Sequence, residues 1–238
     1  VLPDAQDRVV FLDDLGEAEP DPRAESPGLD GLLYTIYTSG STGRPKAAAV
    51  YQRAFLNLLR WYVEDLGGTP EDRYLLLSSF SFDLTQKNLF APLVTGGRLV
   101  LGEEPYDPAL LVATLAREGV TRLTCTPSAF YPLLSERDFP RLASLRMVAL
   151  GGEPVAPERL SEWRRSGLCR AEIVNSYGPT ECTDIVAYHR LPQSGEPSLV
   201  PAGRPVTATT RLPACFSRSS APYAAAVSLP PVVSVSSM

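Results

Sequence analysis

The sequence predicts an α/β protein built from layered parallel strand–helix–strand units with flanking helices. Short apolar runs alternate repeatedly with longer helical patterns, and only a few residues connect one element to the next. This order is typical of parallel sheets whose strands are buried on both faces. Hydrophobic residues make up 44% of the 238 residues and charged residues 21%, which is enough apolar material for a substantial core.

The individual elements follow from local patterns. The run LLYTIYT (32–38) is apolar and rich in strand formers, and it predicts the first strand. In residues 54–66, Phe55, Leu58, Leu59, Tyr62 and Leu66 recur at helical spacing. Glycines close a helix over 84–97, and a helix over 108–119 begins with proline and ends with glycine. Further strands are predicted over 73–79, 98–102, 120–126, 145–150 and 171–177, and further helices over 127–136 and 156–167.

Charge and composition exclude several classes of function. The formal net charge of −5 argues against nucleic acid or an anionic membrane as a partner. No apolar run approaches the roughly 20 residues of a membrane helix, and the first residues do not resemble a secretory signal, so we expect a cytoplasmic protein. The four cysteines are widely spaced and form no CxxC pair, which favours reduced thiols.

The stretch YTSGSTGRPK (37–46) indicates a binding loop for an anion such as phosphate. Its hydroxyls and backbone N–H groups can donate to phosphate oxygens, and its glycines allow close approach of the backbone. It is not a Walker A loop, since Pro45 precedes Lys46 and Ala47 follows it. For such a stretch in isolation, a flexible polar turn would be the simpler interpretation.

Four stretches in order resemble the adenylate-forming (AMP-binding) enzymes, and among them the adenylation domains of nonribosomal peptide synthetases. They are LLYTIYTSGSTGRPK, FSFDLTQKNLFAPLVTGG, LGGEPV and NSYGPTE. The resemblance covers residues 1–206, which are expected to form the large N-terminal part of an adenylation domain. Residues 207–238 show none of the family's later motifs, so we expect an incomplete domain followed by an aberrant or disordered tail.

The resemblance implies a site for ATP and Mg²⁺. Lys46 would neutralise phosphate charge, Thr180 would reach the α-phosphate, and Glu181 would hold the metal, so these three carry the predicted catalytic roles. Asn175 would bind the adenine edge and Tyr177 would stack on the base. The remaining predicted nucleotide contacts are Thr38, Ser39, Gly40, Ser41, Thr42, Gly43, Gly151, Gly152, Glu153, Ser176 and Gly178.

The same resemblance places an amino-acid pocket around Asp83, whose carboxylate would face the α-ammonium group of the substrate. Asp83 also suits a helix N-cap, and both roles are compatible. Lys87 and Asp184 are charges that would be costly to bury alone, so they would pair with each other or bind a polar or charged substrate side chain. Alternatively, Lys87 points to solvent. The predicted pocket wall consists of Leu84, Lys87, Thr124, Ala149, Gly151, Ser176, Asp184 and Ile185.

The implied activity is the formation of an aminoacyl adenylate from ATP and an amino acid. The aminoacyl group would pass to the phosphopantetheine thiol of a peptidyl carrier protein, beside a condensation domain in a larger synthetase. Two alternatives stay open at this point: an acyl- or aryl-acid activating ligase of the same superfamily, and a nucleotide-binding remnant without turnover. The absence of the family's C-terminal lysine motif implies impaired activity in this chain.

Overall fold

A computed structural model describes residues 28–39, 45–102, 105–193, 195, 198–206 and 234–235. Seven strands form the main sheet, in the order β4-β3-β5-β6-β7-β8-β9. The first five run parallel to one another, whereas β8 is antiparallel to β7 and β9 to β8. The strands are β3 (Arg73–Leu76), β4 (Arg98–Leu101), β5 (Arg122–Cys125), β6 (Met147–Gly151), β7 (Glu172–Tyr177), β8 (Ala187–Arg190) and β9 (Arg204–Pro205). The predicted α/β class is confirmed, with an antiparallel edge added to the parallel sheet.

A smaller sheet carries the start of the described chain. Strand β1 (Leu32–Thr38) pairs antiparallel with β2 (Lys46–Tyr51), with Thr38 opposite Lys46. The sequence analysis predicted β1 but not β2, so it missed this hairpin. The short strand β10 (Ser234–Val235) adds antiparallel to β2. Apart from those two residues, the predicted disordered tail over 207–238 lies outside the described residues.

Helices cover both faces of the main sheet. They are α1 (Gln52–Arg60), which continues as a π-helical turn over Trp61–Asp65, then α2 (Leu84–Thr95), α3 (Pro108–Glu118), α4 (Pro127–Phe130) and α5 (Ser161–Arg165). The predicted helix over 127–136 is only one turn of α-helix followed by a 3₁₀ turn, because Pro132 has no N–H to continue the ladder. The predicted ends of α2 and α3 are confirmed, since Gly96 and Gly119 are both left-handed there.

The core has two layers, one on each side of the sheet. Along β6, Val148 and Leu150 point into the layer under α3, α4 and α5, whereas Met147 and Ala149 point into the layer under α1 and α2. Successive side chains of β6 therefore point to opposite faces of the sheet, and both faces are buried, as the sequence predicts for parallel strands. Trp163 anchors the first layer and Trp61 the second, each only 1% exposed. The loops at the carboxyl ends of β6 and β7 are thereby held on a rigid base.

Candidate functional site

A cleft of about 290 Å³ opens at the carboxyl ends of β6 and β7. In open parallel sheets, ligands bind beyond these strand ends. The cleft wall includes six residues predicted from the sequence to contact the nucleotide, together with four others. The lining consists of residues 152–155, residues 175–178, Val200 and Ala202.

Strand β7 fixes the polar side chains of this cleft. Asn175 donates from Nδ2 to the backbone oxygen of Pro201 at 2.8 Å, and Ser176 donates from Oγ to that of Leu150 at 3.0 Å. Tyr177 is 59% exposed at the end of the strand. The arrangement therefore offers an oriented amide and an open aromatic face on the same side of the sheet.

Two glycines let the backbone pack tightly here. A Cβ at Gly151 would lie 2.6 Å from Oγ of Ser176, and one at Gly178 would lie 2.0 Å from the backbone oxygen of Asp184. Neither position has room for a side chain. The loop after β7 is thus pressed directly against the segment that leads to Asp184.

Glu153 lines the cleft, and its carboxylate is engaged by Ser128. Its oxygens accept from the backbone N–H of Ser128 at 3.0 Å and from the Ser128 hydroxyl at 2.7 Å, at the start of α4. This pairing gives the side chain a structural role. A nucleotide contact by Glu153 stays a prediction.

The open end of the β1–β2 hairpin lies beside the loop after β7. Thr38 donates from Oγ1 to Oε1 of Glu181 at 3.4 Å, although the two residues are 143 positions apart in the sequence. Lys46 begins β2 directly opposite Thr38 and is exposed, as is Ser39. The predicted phosphate contacts Gly40, Ser41, Thr42 and Gly43 lie outside the described residues.

Glu181 suits a metal that takes most of its ligands from phosphate and water. It sits exposed on the 3₁₀ turn Thr180–Cys182, followed by Thr183 in the left-handed region at φ 65°. Among the described residues, no group of three or more histidine, cysteine, aspartate or glutamate residues could hold a metal ion. Beside a nucleotide, Mg²⁺ commonly takes only one or two carboxylate oxygens from the protein, so the single carboxylate of Glu181 fits a nucleotide-bound Mg²⁺ ion.

Asp83 occupies the N-cap of α2. Its carboxylate accepts from the backbone N–H of Leu84 at 2.8 Å, and the residue is only partly buried. The N-cap contact engages one carboxylate oxygen. Asp83 is also close enough to Asp184 to raise the pKa of that carboxyl group.

Lys87 and Asp184 form a buried ion pair behind Asp83. Nζ of Lys87 lies 2.5 Å from Oδ2 of Asp184, and the two side chains are 0% and 5% exposed. Nζ also donates to the backbone oxygen of Leu84 at 3.2 Å. Burial raises the pKa of Asp184, and Lys87 acts in the opposite direction. The prediction that these charges could pair is confirmed, and a solvent-facing Lys87 is wrong.

The rest of the predicted pocket wall is buried around this pair. Leu84, Thr124, Ala149 and Ile185 are each at most 9% exposed. Two residues that the sequence analysis did not assign to the pocket lie beside this wall: Tyr62, which it placed only on the apolar face of a helix, and Asn88. Tyr62 donates to Oδ1 of Asn88 at 2.7 Å and lies 2.8 Å from the Thr124 hydroxyl. Asn88 is five positions after Asp83 and on the same helix, which is the only local signal that could have identified it.

A third residue that was missed is Tyr34, in β1. Its hydroxyl is shielded from solvent and has no hydrogen-bond partner among the described residues. Its pKa is raised, first by burial and then by the negative charges of Asp184 and Asp83. The Tyr34 side chain packs against the buried cluster that contains Ala149 and Ile185 of the predicted pocket wall, so this hydroxyl without a partner among the described residues belongs to the surroundings of the pocket.

Comparison with known proteins decides the family. The model of the family described as AMP-binding enzyme matches residues 3–212.

The chain belongs to the AMP-binding enzyme family.

Curated relatives of the chain include a tyrocidine synthase and a subunit of a surfactin synthase. Tyrocidine synthase 3 of Brevibacillus parabrevis is 35% identical over 181 residues, which cover 75% of the chain and 3% of the relative. Surfactin synthase subunit 2 of Bacillus subtilis is 37% identical over 183 residues, which cover 74% of the chain and 5% of the relative. The chain thus spans only a small part of the length of these relatives. Its resemblance to nonribosomal peptide synthetase adenylation domains is confirmed.

Solved structures agree with this assignment. Holo-PA1221, an NRPS protein containing adenylation and PCP domains, matches with a TM-score of 0.67 and 29% identity over 77% of the chain and 32% of that protein. The Vibrio cholerae adenylation domain AlmE, in complex with glycyl-adenosine-5′-phosphate, matches with a TM-score of 0.66 and 27% identity, covering 74% and 33%. The Klebsiella oxytoca NpsA N-terminal subdomain, in complex with anthranilyl-AMSN, matches with a TM-score of 0.65 and 27% identity over 74% of the chain and 46% of that subdomain.

Within the described part of the chain, none of the helices has the length and apolar character that a membrane span requires.

Proposed function

We propose that this chain activates an amino acid as an aminoacyl adenylate, using Mg·ATP. One observation carries the proposal: the Thr38–Glu181 contact joins the hairpin of the predicted phosphate loop to the loop after β7, beside the cleft. Residues from opposite ends of the described chain thereby surround one place where a triphosphate could lie. The solved relatives that contain an adenylate or its analogue support the same use of the fold.

The nucleotide would lie with its base in the cleft. Asn175, held by its bond to Pro201, would present its amide to the adenine edge, and Tyr177 would stack on the base. Lys46 and Thr38 would hold the β- and γ-phosphates together with the loop between them. Mg²⁺ on Glu181 would neutralise charge on the phosphates. The chemistry of these groups is electrostatic and positional.

In the reaction, an oxygen of the substrate carboxylate attacks the α-phosphorus. A new P–O bond to the carboxylate forms as the bond from the α-phosphorus to the bridging oxygen breaks, and pyrophosphate leaves with that electron pair. Thr180 would donate to an α-phosphate oxygen while negative charge shifts to the pyrophosphate. Lys46 would stabilise that departing charge. None of these steps requires a covalent nucleophile from the protein.

Asp83 favours an amino acid over other carboxylic acids. One of its oxygens caps α2, and the other would accept from the α-ammonium group of a substrate seated against Leu84 and Gly151. The aminoacyl group would then pass to the phosphopantetheine thiol of a peptidyl carrier protein, with a condensation domain as the next partner in a larger synthetase.

An aryl-acid activating ligase is the second candidate. The likeness to the NpsA subdomain, solved with anthranilyl-AMSN, supports it, since its TM-score nearly equals that of the glycyl complex. The two candidates differ at Asp83, because an aryl acid without an ammonium group has no use for that carboxylate.

Binding measurements on the full chain test both parts of the proposal. For Mg·ATP, we expect Lys46→Ala to weaken binding about tenfold or more by calorimetry, because a charge-assisted contact is lost. Arg137→Ala, which removes another exposed cation outside the predicted nucleotide contacts, is the control and should bind as the parent does. Equal affinities for all three proteins would contradict the nucleotide site.

For the acid, the probes are glycyl and benzoyl sulfamoyl-adenosine, which are stable analogues of the two adenylates. We expect the glycyl analogue to bind better, and Asp83→Asn to remove that preference while leaving affinity for Mg·ATP unchanged. Tighter binding of the benzoyl analogue by the parent would favour the aryl-acid ligase instead.

A further inference from the structure

The charges of the amino-acid pocket are few and can be counted. Asp83, which is partly buried at the N-cap of α2, contributes one negative charge. Nζ of Lys87 and Oδ2 of Asp184 lie 2.5 Å apart. The net charge of this pair is zero whether the proton is on the amine or on the carboxylate. Among the described residues, the predicted pocket therefore holds one net negative charge before any substrate enters.

The substrate's own α-ammonium group balances that charge. Once it lies against Asp83, the pocket is neutral, and any further charge on the substrate side chain would have no partner. The ion pair cannot readily be recruited, because Lys87 is 0% exposed and is already bonded to Asp184 and to the backbone oxygen of Leu84. Burying an extra charge beside it would carry the full desolvation penalty.

The pocket is nevertheless not apolar. The Tyr34 hydroxyl is shielded from solvent and has no partner among the described residues. The Tyr34 side chain packs against the buried cluster that contains the wall residues Ala149 and Ile185. A buried hydroxyl without a hydrogen bond is costly, so a ligand that accepts a bond from it would be favoured over one that does not.

From this geometry we infer that the substrate is an α-amino acid with an uncharged, hydrogen-bonding side chain, such as a carboxamide or an alcohol. The inference rests on the proposed function and narrows it. The sequence alone allowed a polar or a charged side chain, and the paired state of Lys87 and Asp184 removes the charged class.

A panel of aminoacyl sulfamoyl-adenosines tests the inference by calorimetry on the full chain. The asparaginyl, aspartyl, 2,4-diaminobutyryl and leucyl compounds have side chains of similar length and differ in charge and polarity. We expect the asparaginyl compound to bind about 100-fold or more tightly than the two charged compounds, and about tenfold more tightly than the leucyl compound. The glycyl compound is the reference for the shared nucleotide and ammonium contacts.

The results separate the inference from the function on which it rests. If the glycyl compound does not bind, the proposed function is wrong and the inference falls with it. If the glycyl compound binds and a charged or leucyl compound equals the asparaginyl one, the function stands and the inference is wrong.

Two variants test the charge count itself. Lys87→Met leaves one more negative charge in the pocket, and we expect it to shift preference to the 2,4-diaminobutyryl compound. Asp184→Asn leaves one more positive charge, and we expect it to shift preference to the aspartyl compound. Folded variants that keep the parent's order of preference would overturn the inference. If either variant fails to fold, the panel on the parent chain decides.

Discussion

Loss of the Asp72 carboxylate should destabilise the fold strongly, because it would strand a buried cation. Asp72 is 0% exposed and lies 3.1 Å from Nη1 of Arg122, whose side chain is 2% exposed. The same carboxylate accepts from the Thr121 hydroxyl at 2.7 Å and from the backbone N–H of Thr69 at 2.9 Å. We expect Asp72→Asn to lower the free energy of unfolding by about 3–5 kcal/mol, the usual cost of breaking a buried pair from one side.

Equilibrium unfolding in urea, followed by tryptophan fluorescence, measures this loss. Trp61 and Trp163 each lie in one of the two core layers, so a single transition reports on both faces of the sheet. Arg146→Gln is the matched control. Arg146 contacts the same carboxylate at 3.3 Å but is 54% exposed, so its loss should cost at most about 1 kcal/mol.

A further variant separates the stranded charge from the lost hydrogen bonds. Adding Arg122→Met to Asp72→Asn removes the uncompensated buried charge, at the cost of the hydrogen bonds from Arg122 to the backbone oxygens of Leu66 and Gly67. We expect it to recover part of the lost stability. The reasoning is refuted if the free energy of unfolding of Asp72→Asn lies within about 1 kcal/mol of that of the parent protein. The buried pair would then contribute no more than an exposed ion pair does.

Three other outcomes are expected. Gly178→Ala should weaken Mg·ATP binding in calorimetry, because its Cβ would lie 2.0 Å from the backbone oxygen of Asp184; unchanged affinity would show that this close approach is unimportant. Exposed Cys182 should be alkylated by iodoacetamide well before Cys125, because burial raises the pKa of the Cys125 thiol to about 12. Mg·ATP should slow the alkylation of Cys182. Peptide mapping measures both rates, and equal rates for the two cysteines would contradict the burial of Cys125. Tyr62→Phe should lower the free energy of unfolding by about 1–3 kcal/mol in urea, because it leaves the buried Asn88 amide oxygen without its donor; an unchanged midpoint would argue against that bond.

The order of elements in the main sheet could be predicted because each signal is local. Each of these signals lies within a few residues of the element that it predicts. Examples are the proline at the start and the glycine at the end of α3, the glycines after α2, and the apolar run of β5. The hairpin could not be found in this way. Strand β2 reads KAAAVY, and three alanines carry little strand propensity. Pairing with β1 across the intervening loop, and not its own composition, makes this segment a strand.

The candidate site shows the same limit. Asp83 as an N-cap and the motif residues at the strand ends follow from short stretches of sequence. The contacts that complete the site join distant positions: Thr38 meets Glu181, and Lys87 meets Asp184, 97 positions away. Charge arithmetic made the Lys87–Asp184 pair a reasonable expectation. Nothing in the strand LLYTIYT indicated that the hydroxyl of Tyr34 would be shielded from solvent without a hydrogen-bond partner in the described part of the chain.

The two halves of the site are built differently, and this bears on how substitutions act. On the amino-acid side, Lys87 and Asp184 are almost fully buried and belong to the packing between α2 and the loop before β8. On the nucleotide side, Lys46, Tyr177 and Glu181 are exposed at the ends of strands and turns. A change in the first group alters stability and selectivity together, because the same contact serves both. A change in the second group alters affinity alone, since exposed side chains at strand ends contribute little to folding. Selectivity for the acid is therefore the property of this site most tightly tied to its fold.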